Sequence, residues 1–83
     1  MKEAAIKKIL NSICEDCMVA NKKRNKKDIE PFSYQLTIKT SNREYSYGID
    51  EDSNWNVEDG YLVLEDNSGT RWIDTDKIES IEI

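Results

Sequence analysis

Hydrophobic positions in residues 2–20 recur with a helical period. Ile6, Leu10, Ile13, Cys17 and Ala20 follow one another at spacings of four, three, four and three, and Ile9, Cys14 and Met18 widen the stripe. Lys7, Lys8, Asn11, Glu15 and Asp16 take the remaining positions. A stripe this wide buries itself on a core and not in the narrow seam of a coiled coil. The spacing therefore predicts one amphipathic helix over 2–20. It runs into Asn21 and a basic segment, Lys22, Lys23, Arg24, Asn25, Lys26 and Lys27. Cations at a helix C-terminus complement its partial negative charge, and Pro31 blocks helical continuation.

From Phe32 the period changes to two. Phe32, Tyr34, Leu36 and Ile38 alternate with Ser33, Gln35, Thr37 and Lys39, which predicts a half-buried strand. Ser41-Asn42 suits a tight turn, and Tyr45, Tyr47 and Ile49 then alternate with Glu44, Ser46 and Gly48 as a second strand. Asp50 to Gly60 reads as an acidic loop holding Trp55 and Val57. Tyr61 to Glu65 is a near-continuous apolar strand, Asn67-Ser68-Gly69 a turn, and Thr70 to Asp74 a fourth strand. Asp74-Thr75-Asp76 suits a short turn capped by Asp74 or Thr75, and Ile78 to Ile83 closes the β pattern as a fifth strand.

Composition narrows the class. Charged residues are 35% of the 83 and hydrophobic ones 37%, yet the apolar positions are patterned, so a folded domain is expected and not a disordered chain. No apolar run approaches the roughly 20 residues that cross a bilayer, and MKEAAIKKIL mixes charges with apolar residues, unlike the core of a signal peptide. Two cysteines are too few for the disulfide framework of a small secreted domain. A cytoplasmic protein is expected, with no membrane partner. The net charge of −5 is unevenly spread. Residues 1–30 carry eight Lys/Arg against five Asp/Glu, while residues 31–83 carry four against twelve. An acidic β unit is a poor surface for duplex phosphates, so nucleic acid is a less favoured partner than a basic protein.

The order helix, four strands, short turn and fifth strand resembles the Sm-like family of small SH3-type barrels. The stretch YGIDEDSNWNVEDGYLVLED is similar to the first Sm motif, with Gly48, Asp52, Asn54, Asn56 and Leu62-Val63-Leu64-Glu65-Asp66 in the corresponding places, and WIDTDKIESIEI is similar to the end of the second. The resemblance spans residues 32–83. Val57-Glu58-Asp59-Gly60 stands as an insertion relative to the motif. The Arg-Gly pair of the family's RNA pocket is absent, with Asp74-Thr75 or Asp76-Lys77 near its place. The resemblance thus implies the barrel and a ring-forming tendency without implying the RNA site. The expected fold is α+β in one domain, 1–83: helix 2–20, basic linker 21–31, and β unit 32–83. In it the helix packs on a five-stranded, strongly bent antiparallel sheet or SH3/Sm-like barrel.

Candidate chemistry is sparse. Cys14-Glu15-Asp16-Cys17 is a CxxC, but a zinc site needs four ligands and the chain has no His and no second Cys pair. These cysteines also sit late in a helix, away from the N-terminal dipole that activates a redox pair. Core packing is the better reading. Tyr34, Tyr45 and Tyr47 share the phase of Leu36, Ile38 and Ile49, which favours core over a base-stacking platform. An EF-hand loop needs Gly at position six and Glu at position twelve. Starting at Asp50 these are Trp55 and Tyr61, and starting at Asp52 they are Val57 and Val63, so neither register binds calcium. Without His the natural general base is missing, and neither an enzyme nor a cofactor is expected.

What remains is an acidic stretch enclosing a large aromatic: Asp50, Glu51, Asp52, Trp55, Glu58 and Asp59 are the candidate binding residues, with Trp55 either an interface anchor or folded back over the open end of the barrel. Lys22, Lys23, Arg24, Lys26 and Lys27 are the alternative basic contact. The favoured function is a small non-enzymatic binding protein. In one version it is a phage or mobile-element inhibitor presenting an acidic surface to a basic, nucleic-acid-binding host protein. The alternatives are an Sm-like oligomeric module that binds RNA or a nucleotide, and a small-ligand sponge with a pocket at a homo-oligomer interface.

Overall fold

The computed structural model describes residues 1–24, 32–50 and 52–83. Helix α1 runs Glu3–Lys23, three residues beyond the expected end, so Lys22 and Lys23 belong to the helix and not to a linker. Lysine is a good helix former, and the last turn is where its charge is favourable. The stripe faces inward as expected at Ile6, Leu10, Ile13 and Cys17, with Ile9 and Cys14 half-buried beside it, whereas Met18 is exposed. The helix is among the described residues, and no helix is long and apolar enough to cross a membrane.

Among the described residues six strands follow: β1 (Tyr34–Thr40), β2 (Glu44–Ile49), β3 (Asn54–Glu58), β4 (Tyr61–Asp66), β5 (Gly69–Asp74) and β6 (Ile78–Glu82), with one 3₁₀ turn at Thr75–Lys77. They form two antiparallel three-stranded sheets, ordered β2-β1-β6 and β3-β4-β5. The expected five-stranded bent sheet or closed barrel is corrected on two counts. The supposed 50–60 loop contains a strand, β3, whose alternation Trp55/Val57 faces the core. And between the two sheets Asp50, Asp52 and Ser53 are held in a turn, where Ser53 Oγ accepts from Asp50 N–H (2.9 Å) and Asp50 Oδ1 accepts from Asp52 N–H (2.9 Å). That turn ends β2 before β3 begins, so no single bent strand spans both sheets. Phe32 also lies before β1 and is exposed, not the first core position of a strand.

Leu36, Ile38, Tyr47 and Ile49 from one sheet meet Val57, Leu62, Leu64 and Ile73 from the other, and Ile6, Leu10 and Ile13 of α1 and Ile78 of β6 complete the core. Of the three tyrosines assigned to the core, Tyr47 is buried, and Tyr34 and Tyr45 are half-buried against it. The helix is fastened at both ends. Near its start, Gly60 N–H donates to Glu3 Oε1 (2.8 Å), and the Met1 nitrogen donates to the Thr75 (2.8 Å) and Ile78 (3.1 Å) carbonyls. Near its end, the Asn21 amide exchanges hydrogen bonds with the Phe32 backbone, and Cys17 Sγ–H donates to the Phe32 carbonyl (2.9 Å).

Tyr47 ties the two sheets together. Its hydroxyl lies 3.2 Å from the Asn54 carbonyl and 3.1 Å from the Glu65 carbonyl, donors' targets on two paired strands of the opposite sheet. Burial, and secondarily the nearby Asp66 and Asp50 carboxylates, push this phenol's pKa above its ordinary value. Tyr47→Phe is expected to lower stability by about 1 kcal/mol, read from the urea midpoint. Because the folded state holds the Tyr47 proton more tightly than the unfolded one, stability should begin to fall as pH rises past about 10, and the Phe variant should show a shallower fall.

Candidate binding surface

The register of β3-β4-β5 sorts its residues into two faces. Trp55, Leu64 and Arg71 form one cross-strand rank pointing toward the core side, and Val57, Leu62 and Ile73 form the next. The opposite face carries three ranks: Asn54, Glu65 and Thr70; Asn56, Val63 and Trp72; Glu58, Tyr61 and Asp74. Trp72 is 62% exposed and Tyr61 46% exposed. Three carboxylates and no cation occupy these nine positions.

The candidate acidic residues do not form one cluster. Asp50 and Asp52 lie at the end of the sheet where β3 begins, and Glu58 and Asp59 at the end where it turns into β4. Asn54 and Glu58, the ends of β3, are four residues apart, roughly 13 Å at the usual rise per strand residue. Asp50 Oδ1 is committed to the turn, accepting from Asp52 N–H and from Ser53 Oγ–H (3.2 Å). Asp59, with φ 53°, is a turn residue whose role is backbone geometry. Trp55 faces inward: it is half-buried against the core, and its indole N–H points to Cys14 Sγ (3.4 Å) on α1. Glu51 lies outside the described residues.

Asp50 and Asp52 are joined instead by residues from the β4–β5 turn. Together with Ser53, Asn54, Glu65 and Asp66 they line an open acidic cleft of about 390 Å³. A smaller hollow of about 250 Å³, lined by Asn54, Trp55, Asn56, Val63 and Glu65, shares Asn54 and Glu65 with it and reaches the outer face of the sheet. At the other end of the sheet the character changes. Arg43, Tyr45, Tyr61, Trp72, Asp74 and Lys77 line a third cleft of about 300 Å³, and the Arg43 and Arg71 guanidinium carbons stand 5.5 and 5.2 Å from the Tyr45 ring centroid.

Of the alternative basic residues, Lys22, Lys23 and Arg24 are exposed at the end of α1, while Lys26 and Lys27 lie outside the described residues. Cys17 is buried and Cys14 half-buried, both free thiols. Among the described residues no three His, Cys, Asp or Glu side chains are grouped to hold a metal ion. Glu65, Asp66, Tyr61 and Trp72 were not among the sequence candidates. The phase of β5 held the signal for Trp72: with Ile73 inward, its neighbour must point out.

Asp50 thus has a structural share in the cleft, as does Asp66, whose Oδ1 accepts from Ser68 N–H (2.8 Å). Asp50→Ala should cost about 1 kcal/mol in a urea titration, because two donors lose their acceptor. Asp50→Asn, which keeps an acceptor oxygen, should retain most of the stability. No protein-family model, no curated protein and no solved structure matches this chain.

Proposed function

We propose that this chain is a small non-enzymatic binding protein that presents an acidic surface to a basic protein partner, in the cytoplasm of the cell in which it acts. The observation that carries the reading is the gathering of Asp52, Glu65 and Asp66 around one open cleft that continues onto a cation-free sheet face. Like charges held together in this way repel, so the arrangement costs stability unless something of opposite charge meets it. Asp52 and Glu65 are exposed, and their carboxylates have no intramolecular partner among the described residues. A basic, nucleic-acid-binding protein supplies the matching field, and an inhibitor encoded by a phage or mobile element is the concrete version of the role.

A second reading, an oligomeric Sm-like module that binds RNA or a nucleotide, draws on the third cleft. Arg43, Arg71 and Lys77 are three of the four cations in residues 31–83, and they gather beside Tyr45, Tyr61 and Trp72. Cations with aromatic faces suit a phosphate and a base. Sedimentation with absorbance at 260 nm separates the readings: a ring carrying nucleic acid favours the second, and a nucleic-acid-free monomer or dimer favours the first.

The first reading predicts that tagged protein retains partners of high isoelectric point and releases them at about 0.5 M salt, where screening is short-ranged. It also predicts that added duplex DNA displaces them. The variant Asp52→Asn/Glu58→Gln/Glu65→Gln, which keeps side-chain size, should retain none of them at unchanged thermal midpoint. Retention that ignores salt and these three neutralisations would contradict the reading.

A further inference from the structure

We propose that the outer face of the β3-β4-β5 sheet docks an arginine-rich segment of the protein partner, with Trp72 as the anchor. The proposal rests on the acidic-surface reading above and names the contact within it. Trp72 sits in the central rank, on edge strand β5, directly across from half-buried Val63. Tyr61 and Glu65 flank Val63 two residues away on β4, which places both diagonal to Trp72, within reach of a long side chain. An indole left 62% exposed in the middle of an edge strand is a large apolar area kept in water, and such residues mark contacts.

Charge selects the occupant. Glu65 and Glu58 flank the aromatic positions, and neither carboxylate has an intramolecular partner among the described residues. The third carboxylate, Asp74, is used at home: its Oδ1 accepts from Asp76 N–H (2.9 Å) and caps the 3₁₀ turn. A cation above Trp72 therefore meets the negative face of the indole ring and the Glu65 carboxylate together. Arginine fits this better than lysine. Its flat guanidinium stacks on an indole while its fork of N–H donors reaches a carboxylate, whereas an ammonium is a strongly hydrated point charge.

The boundary of the face gives the segment a direction. Arg43 and Lys77 share the third cleft with Trp72, Tyr61 and Asp74, at the end of the face away from Asp52. They repel a basic segment that extends into that cleft. Between Trp72 and the acidic cleft, through Val63, Glu65 and Asp52, no cation intervenes among the described residues. The segment accordingly runs from Trp72 toward Asp52.

Octa-arginine and octa-lysine peptides titrated calorimetrically into the full chain at low salt test this. The expected result is binding of both, with octa-arginine about five-fold tighter. In Trp72→Ala the preference should vanish while salt-sensitive binding of both peptides and the thermal midpoint persist. Equal affinities in the unmodified chain, or a preference that survives Trp72→Ala, would overturn the Trp72 anchor and leave the acidic-surface reading standing. Failure of both peptides to bind at low salt would overturn both. A dimer that Trp72→Ala dissociates would overturn the proposal by showing that a second copy covers the face.

Discussion

Two consecutive left-handed residues, Asp59 (φ 53°) and Gly60 (φ 83°), set the register on which the rest of the molecule depends. They form a two-residue connection between β3 and β4, with Glu58 paired to Tyr61. A turn with positive φ at both positions matches the right-handed twist of the strands it joins. Nothing lies within 4 Å of a side chain added at Gly60, so glycine is required there for its backbone conformation and not for space. The same glycine is the junction of the fold: its N–H donates to Glu3 on the helix, and its carbonyl accepts from the Thr75 N–H (2.9 Å) and hydroxyl (3.1 Å) before β6. A slip of one residue in this hairpin would exchange every inward side chain for an outward one. The core and the candidate surface are therefore consequences of one turn.

From that register follows a separation of chemistry. Leu62, Leu64 and Ile73 go to the core with Val57, and the residues between them form a polar face with two large aromatics. Tyr47 then locks the second sheet onto the first by reaching the Asn54 and Glu65 carbonyls, at the rim of the acidic cleft. The cations of the β unit are disposed just as unevenly. Lys39 is paired with Glu82 (2.9 Å) on the other sheet, and Arg43 and Arg71 lie against Tyr45. This leaves the Asp52–Glu65 end without positive charge of its own, which is the physical basis for assigning it a basic partner.

Much of this was legible in the chain. The 3.6-residue stripe of α1, the alternation of Leu36 with Ile38 and of Tyr45, Tyr47 and Ile49, and the role of Cys17 as a packed helix residue all follow from periodicity, which local sequence carries. β3 did not emerge because five residues with two apolar positions, beside Asp50 and Asp52, look like a solvated loop. The Asp-Gly pair before Tyr61 was the available corrective, since it marks a two-residue hairpin and so demands a strand on either side. The site was less legible, because it depends on which strand neighbours which. Trp55 and Trp72 are equally conspicuous in the sequence, but pairing turns one toward Cys14 and the other to solvent. Glu65 and Asp66 joined Asp52 only through the approach of the end of β4 to Asp50, Asp52 and Ser53, a non-local contact that no period reports.

The two tryptophans report the register directly. Fluorescence quenching on Trp55→Phe, which leaves Trp72, and on Trp72→Phe, which leaves Trp55, compares the two faces of the sheet with one measurement. Trp72 is predicted to emit at long wavelength and to be quenched readily by acrylamide, because its indole is 62% exposed. Trp55, half-buried against the core beside Cys14, is predicted to emit at shorter wavelength and to be quenched less. A Trp72 as shielded as Trp55 would contradict the account.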